Sequence, residues 1–521
     1  MSDSRTKNTT RNIFSGLIYR GVTILLPFIN RTVILAVLGA EYTGLSSLFT
    51  SILGVLNLAE LGFNTAVVYC MYKPMAEQNW NQVCYYLTLI RKVYNIVGTV
   101  VFGSGLCIMP FLRYLISGNY PQEIDLYALY FLYLVNSTIS YYLFAYKETL
   151  LLADQRSDIT NNIRTVVDTF RYLIQFTFLL ITKNFYSYVV IQIVGTIFSN
   201  FLIQKSTKAR YPNIVCQKNL KLKVPEEMKK QTKALMIDRL CNTFRNSFDS
   251  IVISSFFGLV ETTVYGNYYY IYSAVYGVLS VIGNSLAGSV GNSISCESAE
   301  KNYHDLRKFQ FLFSGLNIIC TTCMVAMYQP FMQIWVGRRL MLSDRDMLLF
   351  CLYFYLINMN NIRNQYIDGT GMWNALKWSY ILEAFGNLFL NIILGKLFGV
   401  TGILCATIFT IAIFNYSVRT HKLFKTYFMG KDEIRYNIDQ VQYALIALTS
   451  SAIVYVICTC LPFDGIVQLV VCGLIAVVVA GTLFWVAFLK TKRFTEAKQM
   501  IVQIILTMVT KKKIGEYEAN L

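Results

Sequence analysis

The 521-residue chain alternates long apolar runs with short polar gaps from end to end. The runs fall at 13–38, 43–70, 83–112, 124–152, 160–182, 184–204, 234–257, 262–292, 309–334, 347–367, 378–396, 401–419, 440–461 and 465–489. Crossing ~30 Å of hydrocarbon as an α-helix takes ~20 residues, and the runs reach or exceed that length. A backbone in lipid has no water to bond, so helices that satisfy their own hydrogen bonds are the expected element. A transmembrane barrel would show segments of ~10 residues with alternating polarity, and no such pattern is visible. The expected fold class is an all-α integral membrane protein of about 14 transmembrane helices. The run at 43–70 is the less apolar member of the set.

The polar gaps add organisation. The longest, 205–233, is rich in Lys and Arg and follows the sixth run. It separates an N-lobe at 1–204 (helices 1–6) from a C-lobe at 234–420 (helices 7–12). Helices 13–14 occupy 421–489, and 490–521 forms a tail. Six is even, so the lobes are expected to be parallel repeats, related by a pseudo-two-fold along the membrane normal. VLGAEYTG at 37–44 faintly echoes FGLVETTVYG at 257–266, at equivalent places in the two lobes. The tail carries QMIVQIILTMVT at 499–510, flanked by Lys498 and Lys511. That stretch is too short to span and reads as an interfacial amphipathic helix.

Composition agrees with the pattern. The chain is 55% hydrophobic and 14% charged, against ~25% charged for soluble domains. The net charge of +17 invites a nucleic-acid reading, but the basic residues are spread over many short loops. With the N-terminus inside, the outer loops hold Arg113, Lys183, Arg338, Arg339, Arg345 and Lys396, a small minority of the 46 Lys and Arg. The positive-inside rule therefore puts both termini in the cytoplasm. Arg5, Lys7 and Arg11 before an apolar stretch imitate a signal peptide. That stretch is too long, contains Arg20 and Arg31, and lacks a cleavage site, so the first helix is expected to be retained. Most of the 13 cysteines lie in apolar runs, where a reduced thiol packs as a small hydrophobe. Cys320 and Cys323 have metal-like spacing without a second pair, and the two histidines, His304 and His421, fall in loops. No metal site is expected.

Charge inside the runs is costly, at ~2.5–3.5 kcal/mol per ionised group near mid-bilayer, so each such group needs a partner or a wet cavity. On the 3.6-residue period several of these groups share a helix face. The first run carries Arg20, Thr23, Asn30 and Arg31; the second carries Asn57, Glu60 and Asn64. The fifth carries Asn161, Arg164, Asp168, Arg171 and Gln175, and the seventh Asp238, Arg239, Asn242, Arg245 and Asp249. The tenth holds Asn358, Asn361, Gln365 and Asp368; the eleventh holds Glu383, Asn387 and Asn391. Helix packing in lipid relies mainly on small residues, so stripes on this many helices exceed what bundle glue needs. They fit a hydrated cavity in which Arg20, Arg31, Arg171, Arg239 and Arg245 face an anion. The planar guanidinium fork suits phosphate. Cavity polar groups would be Asn30, Asn57, Asn64, Asn242, Asn361 and Asn387.

Several motifs are absent or misleading. No GxxxxGK[ST] loop occurs, so the chain does not carry its own P-loop ATPase. Asp344-Arg345-Asp346 spells the acidic motif of sugar-nucleotide transferases, but it falls in a short outer loop. The glycines of GNSLAGSVGN at 283–292 read as helix packing. A polysaccharide polymerase or ligase would need a large outer loop for its chemistry, and every outer loop is short.

Residues 368–407 read DGTGMWNALKWSYILEAFGNLFLNIILGKLFGVTGILCAT. This stretch resembles the bacterial polysaccharide flippases through Gly371, Lys377, Asn387, Asn391, Lys396, Phe398, Gly399, Gly402 and Thr407. The opening RNIFSGLIYRGVTILLPFINRTVILAVLG and YTGLSSLFTSILGVLNLAELGFNTAVV are similar to the first two helices of the same family. That family, the O-antigen (Wzx-type) transporters, lies in a larger group with multidrug and toxin extrusion transporters and lipid II flippases. The resemblance implies a transporter and no enzyme, with alternating access between two lobes. Its cargo would be an undecaprenyl-diphosphate-linked glycan, moved from the inner to the outer leaflet of the bacterial cytoplasmic membrane. Implied partners are the lipid bilayer and a polysaccharide polymerase with its chain-length regulator, and no nucleic acid. Arg20 and Arg31 fit the place where lipid II flippases use first-helix arginines. Coupling to H+ or Na+ is common in the larger group, with Glu60, Asp168, Asp249 and Glu383 as candidate carboxylates; no other cofactor is expected. The competing reading is a cation-coupled multidrug exporter of the same fold. Exporters of cationic drugs favour acidic cavities, and the intramembrane charges here lean basic.

Overall fold

In the computed structural model, residues 5–57, 63–212, 214, 226–430 and 432–499 are described, and no strand occurs among them. The helices are α1 (Arg5–Val37), α2 (Ala40–Leu56), α3 (Phe63–Ala76), α4 (Trp80–Ile108), α5 (Leu126–Tyr142), α6 (Glu148–Ala153), α7 (Ser157–Thr182) and α8 (Phe185–Arg210). They continue as α9 (Glu226–Ser285), α10 (Ala287–Cys296), α11 (Ala299–Val336), α12 (Asp344–Met359), α13 (Asn361–Thr370), α14 (Trp373–Thr410), α15 (Arg419–Thr426), α16 (Glu433–Cys460) and α17 (Gly465–Phe488).

Among the described residues, 9 helical stretches are long and apolar enough to cross a membrane, or up to 10 when α5 is joined across a 45° bend to Ala145–Ala153. Two of these, Thr243–Cys296 and Trp373–Thr426, are 54 residues long, more than twice the ~20 that one crossing needs. Each is broken internally by a glycine, so each accounts for two crossings. With the pairs α2/α3 and α12/α13, every expected apolar run is matched by helix among the described residues, as an all-α membrane protein of about fourteen helices requires.

The breaks have a common backbone device. Gly258 inside α9 has φ 87°, ψ −174°, and Gly399 inside α14 has φ 67°, ψ −146°. Gly39, before α2, has φ 102°, ψ −180°. This region of φ/ψ space is essentially closed to residues with a Cβ. The echo between 37–44 and 257–266 therefore extends to the backbone, and the two segments also touch. A Cβ on Gly44 would stand 2.2 Å from the Leu259 carbonyl oxygen, and Thr263 donates a hydrogen bond to the Ala40 carbonyl.

Packing divides the chain into two compact units. Unit 1 comprises 1–267 with 380–403, and unit 2 comprises 268–379 with 404–521. In unit 1, α7 packs on α1 and on α8, and α4 packs on α5. The α4–α5 contact is close because Gly98 and Gly105 of α4 lie against Tyr141 and Leu134, the small-residue solution expected in lipid. In unit 2, α11 is the central helix, covered by α12, α16 and α17. Arg363 of α13 is fully buried there. It donates to the carbonyls of Asn415 (2.7 Å) and Tyr416 (3.2 Å), to Thr420 Oγ1 (2.9 Å) and to Asn415 Oδ1 (2.8 Å). Those carbonyls lie in a π-helical stretch, Ile411–Val418, whose wider turn displaces backbone oxygens that the guanidinium takes up. Of the linker expected at 205–233, α8 takes up the start and α9 the end, and residues 213 and 215–225 lie outside the described residues, as do residues 500–510 of the amphipathic segment expected at 499–510.

Gly399→Ala is expected to cost about 1–3 kcal/mol from backbone strain alone, since no atom stands within 4 Å of its added Cβ. Gly258→Ala should cost more, because its Cβ would meet the Ser117 carbonyl oxygen at 2.8 Å. Equilibrium unfolding in detergent micelles tests the order; equal stability of both variants with the parent would refute it.

Candidate functional site

The polar stripes give unit 1 three separate clusters. The first surrounds Arg31 on α1. Its Nε donates to Asn267 Oδ1 at 2.7 Å, and its Nη1 makes a longer 3.4 Å contact with Ser47 Oγ on α2. Gly266 leaves room for the guanidinium, since a Cβ there would stand 2.9 Å from Nη2. Asn267 is wholly buried, and its Nδ2 has no acceptor among the described residues. A half-buried guanidinium thus sits beside a buried amide donor with unused capacity. One residue along α1, Asn30 donates to Gln175 Oε1 of α7 at 3.3 Å, and Gln175 donates on to the Tyr188 carbonyl at 2.9 Å. Arg20 is exposed and lies three turns earlier on α1, about 16 Å along the axis at ~1.5 Å per residue. The structure does not bring Arg20 to Arg31.

The second cluster is on α7. Arg171 pairs with Asp168 at 3.1 Å, lies 4.3 Å from the Tyr172 ring, and packs against Gly195 of α8. Arg164 pairs with Glu148 at 2.7 Å, and Tyr19 of α1 is within electrostatic reach of Arg164 and Asp168. Arg171 Nε is buried without an acceptor among the described residues. These groups follow from the α7 stripe, which turns its polar face toward α1 and α8.

The third cluster joins the first arm of α9 to α14. Arg245 forms a salt bridge with Glu383, and both side chains are buried. One helical turn on, Asp249 accepts from Asn391 Nδ2 at 2.7 Å and from the Tyr265 hydroxyl at 2.8 Å. Asn391 also donates to Asn387 Oδ1 at 3.2 Å. The spacing of four along both stripes allows this ladder, because i and i+4 stack on one helix face. Each rung supplies the partner that a charge in lipid needs.

Other expected site residues are placed differently. Asn57 exchanges hydrogen bonds with Ser137 of α5 at 2.8 and 3.0 Å, and Asn64 accepts from Thr149 at 2.8 Å. These contacts tie α2 to α5 and α3 to α6. Asn361 belongs to unit 2, where it packs against Gly283; its buried Oδ1 has no partner among the described residues. Glu60 lies outside the described residues, as do the side chains of Arg239 and Asn242. No group of three or more metal-binding side chains occurs among the residues described. Sequence reasoning missed Asn267, Ser47 and Tyr265. Gly266-Asn267 interrupts an apolar, tyrosine-rich run, which was the available signal for Asn267.

Comparison with known proteins gives the same fold. No protein-family model matches the chain, and no curated protein matches it in sequence. Among solved structures, a lipid II flippase, MurJ, in an inward closed conformation superposes with TM-score 0.69 at 15% identity, over 92% of this chain and 98% of that one. A mutant of the Vibrio cholerae MATE transporter VcmN gives TM-score 0.55 at 13% identity, over 81% and 98%. An inward-facing multidrug resistance MATE family transporter of the MOP superfamily gives 0.56 at 12% identity, over 75% and 91%. At these identities the likeness is one of fold: the chain is built as those membrane transporters are built.

Removing one partner of the buried pair should be costly. Arg245→Ala and Glu383→Ala are each expected to lose about 3–5 kcal/mol, while Arg245→Leu with Glu383→Leu together should lose far less. Unfolding of the single and double variants in micelles checks this. A double variant as unstable as the sum of its singles would show that the pair is not the interaction lost.

Proposed function

We propose that the chain is a flippase for lipid-linked oligosaccharide. It carries undecaprenyl-diphosphate-linked repeat units from the inner to the outer leaflet of the bacterial cytoplasmic membrane, during synthesis of a surface polysaccharide such as O-antigen, capsule or exopolysaccharide. Both termini are cytoplasmic in this reading. Helices 1–6 and 7–12 act as the two lobes of an alternating-access cycle, and a polymerase with its chain-length regulator takes over the product.

The observation that carries the reading is the Arg31 cluster. A guanidinium oriented by Asn267 Oδ1 and Ser47 Oγ, next to the buried Asn267 Nδ2 that has no acceptor among the described residues, is a donor set suited to an anion. Diphosphate oxygens accept such bonds, and guanidinium–phosphate pairs are strong because they are charge-assisted and can be bidentate. The fold shared with a lipid II flippase supports the reading. A lipid II-type cargo bears the same head group and is the near alternative. The MATE neighbours keep open a cation-coupled multidrug exporter, but a cationic drug would not complement Arg31.

Glu60, Asp168, Asp249 and Glu383 remain the candidate carboxylates for coupling to H+ or Na+. Asp249 has the most apt surroundings, since an amide and a hydroxyl donate to it inside the membrane.

In cells deleted for this protein, undecaprenyl-linked sugar should accumulate in the inner leaflet. Arg31→Ala should restore less than about one tenth of the surface polysaccharide, the ratio set by losing ~1.4 kcal/mol or more of binding, while Arg31→Lys should restore part. Normal polysaccharide with Arg31→Ala at parental expression would sink the assignment, and a change in drug susceptibility alone would favour the exporter. Asp249→Asn should abolish stimulation of flipping by an imposed H+ or Na+ gradient in proteoliposomes; undiminished stimulation would remove Asp249 from the coupling role.

A further inference from the structure

The seam between α1 and α7 holds a cluster that the transport reading leaves without a task. The two helices run parallel and in register. Asp158 N–H donates to Asn12 Oδ1, Asn161 donates to Ser15 at 3.5 Å and Asn30 donates to Gln175, the partners standing 145 or 146 residues apart each time. In that register Arg164 is level with Tyr19. Arg171 lies five residues from the level of Arg31 toward the N-terminal ends, about 7 Å along the axis at ~1.5 Å per residue.

The seam is closed at both ends. Asn30 and Gln175 are buried at one, and Asp158, held by Arg11 and Arg156, is buried at the other. Between them the charged side chains keep accessible surface: 13% for Arg171, 19% for Asp168 and 35% for Arg164. The large exposed apolar residues of α7, among them Val166, Phe170, Leu173 and Ile174, lie on another face of the helix. A charge open to lipid would be costly, so the accessible surface of the polar face borders a wet recess of the seam. Arg171 also reaches α8, where Gly195 has no side chain to block it.

The chemistry of this cluster differs from that at Arg31. Arg171 is matched by Asp168 and Arg164 by Glu148, so the charges cancel. A balanced set does not select an anion; it offers donors and acceptors side by side. Arg171 Nε has no acceptor among the described residues, and Asp168 pairs with Arg171 through one oxygen, leaving the other without a donor among them. The hydroxyls of Tyr19 and Tyr188 make no hydrogen bond among those residues. Tyr19 is within electrostatic reach of Asp168 and Arg171, and Tyr188 of both Arg171 and Arg31, so the cluster adjoins the Arg31 site. Each hydroxyl of a sugar both donates and accepts, and an uncharged ligand of that kind suits a set that is neutral as a whole.

We propose that Tyr19, Asp168, Arg171 and Tyr188 form a glycan subsite, which binds hydroxyls of the sugar next to the diphosphate while the diphosphate rests on Arg31. The subsite presupposes the flippase reading and adds to it that unit 1 recognises sugar as well as phosphate. The sugar lies on the side of Arg31 toward the helix N-termini, the cytoplasmic side in that reading.

The test is native mass spectrometry of the full chain in detergent, with undecaprenyl diphosphate or undecaprenyl diphosphate bearing one N-acetylglucosamine. The parent should hold the sugar-bearing lipid about tenfold more tightly than the bare one. Arg171→Gln and Tyr188→Phe should each bring that ratio close to one, whereas Arg31→Ala should weaken both lipids and keep the ratio. A purely structural role for Arg171 or Tyr188 would weaken both lipids alike. Only variants monodisperse on size exclusion are scored, and Tyr188→Phe, which removes a single hydroxyl, decides the matter if Arg171→Gln is not. A ratio near one in the parent, or a parental ratio in Arg171→Gln and Tyr188→Phe, would overturn the subsite and leave the flippase reading standing. A parent that binds neither lipid would overturn both.

Discussion

A polar group in lipid must find its partner inside the protein. That constraint accounts for both features that distinguish this chain, its helix breaks and its charge clusters. Within a helix the backbone meets the requirement locally, which is why apolar runs and helices coincide. Where the chain must turn, Gly258 and Gly399 make the break within a single residue. Where charges enter the membrane they come in sets, with Arg245 on Glu383 and Arg171 on Asp168.

The same constraint sorts the intramembrane polar residues. Asn57 and Asn64 find hydroxyls on neighbouring helices and act as rivets. Asp249, Asn387 and Asn391 form a hydrogen-bonded ladder between α9 and α14. Arg31 differs because the buried Asn267 Nδ2 beside it has no acceptor among the described residues. A donor surplus at a cation is the arrangement an anionic ligand completes.

Much of the fold was legible in the sequence because length and hydrophobicity alone decide what crosses a bilayer. The glycine breaks were partly legible, since the echo of 37–44 in 257–266 marks two of them. Which stripe meets which was not. Periodicity puts Arg245 and Asp249 on one face of α9, but it carries no information on how α9 and α14 rotate toward each other. Arg363 escaped notice for a related reason. It lies among amides in a run that reads as merely polar, and its function depends on a π-helical stretch some fifty residues later. Asn267 was hidden by its tyrosine-rich setting, and its importance appears only with Arg31 beside it.

The Arg245–Glu383 pair also has a consequence for biogenesis. The two residues are 138 positions apart. At ~5–20 residues per second of synthesis, roughly ten seconds pass between their emergence from the ribosome. Through that interval Arg245 has no Glu383 to neutralise it, and the first arm of α9 must wait at the membrane interface or shelter against helices already inserted. Completion of unit 1 is thus deferred until α14 is made, although most of its helices precede that point by more than a hundred residues.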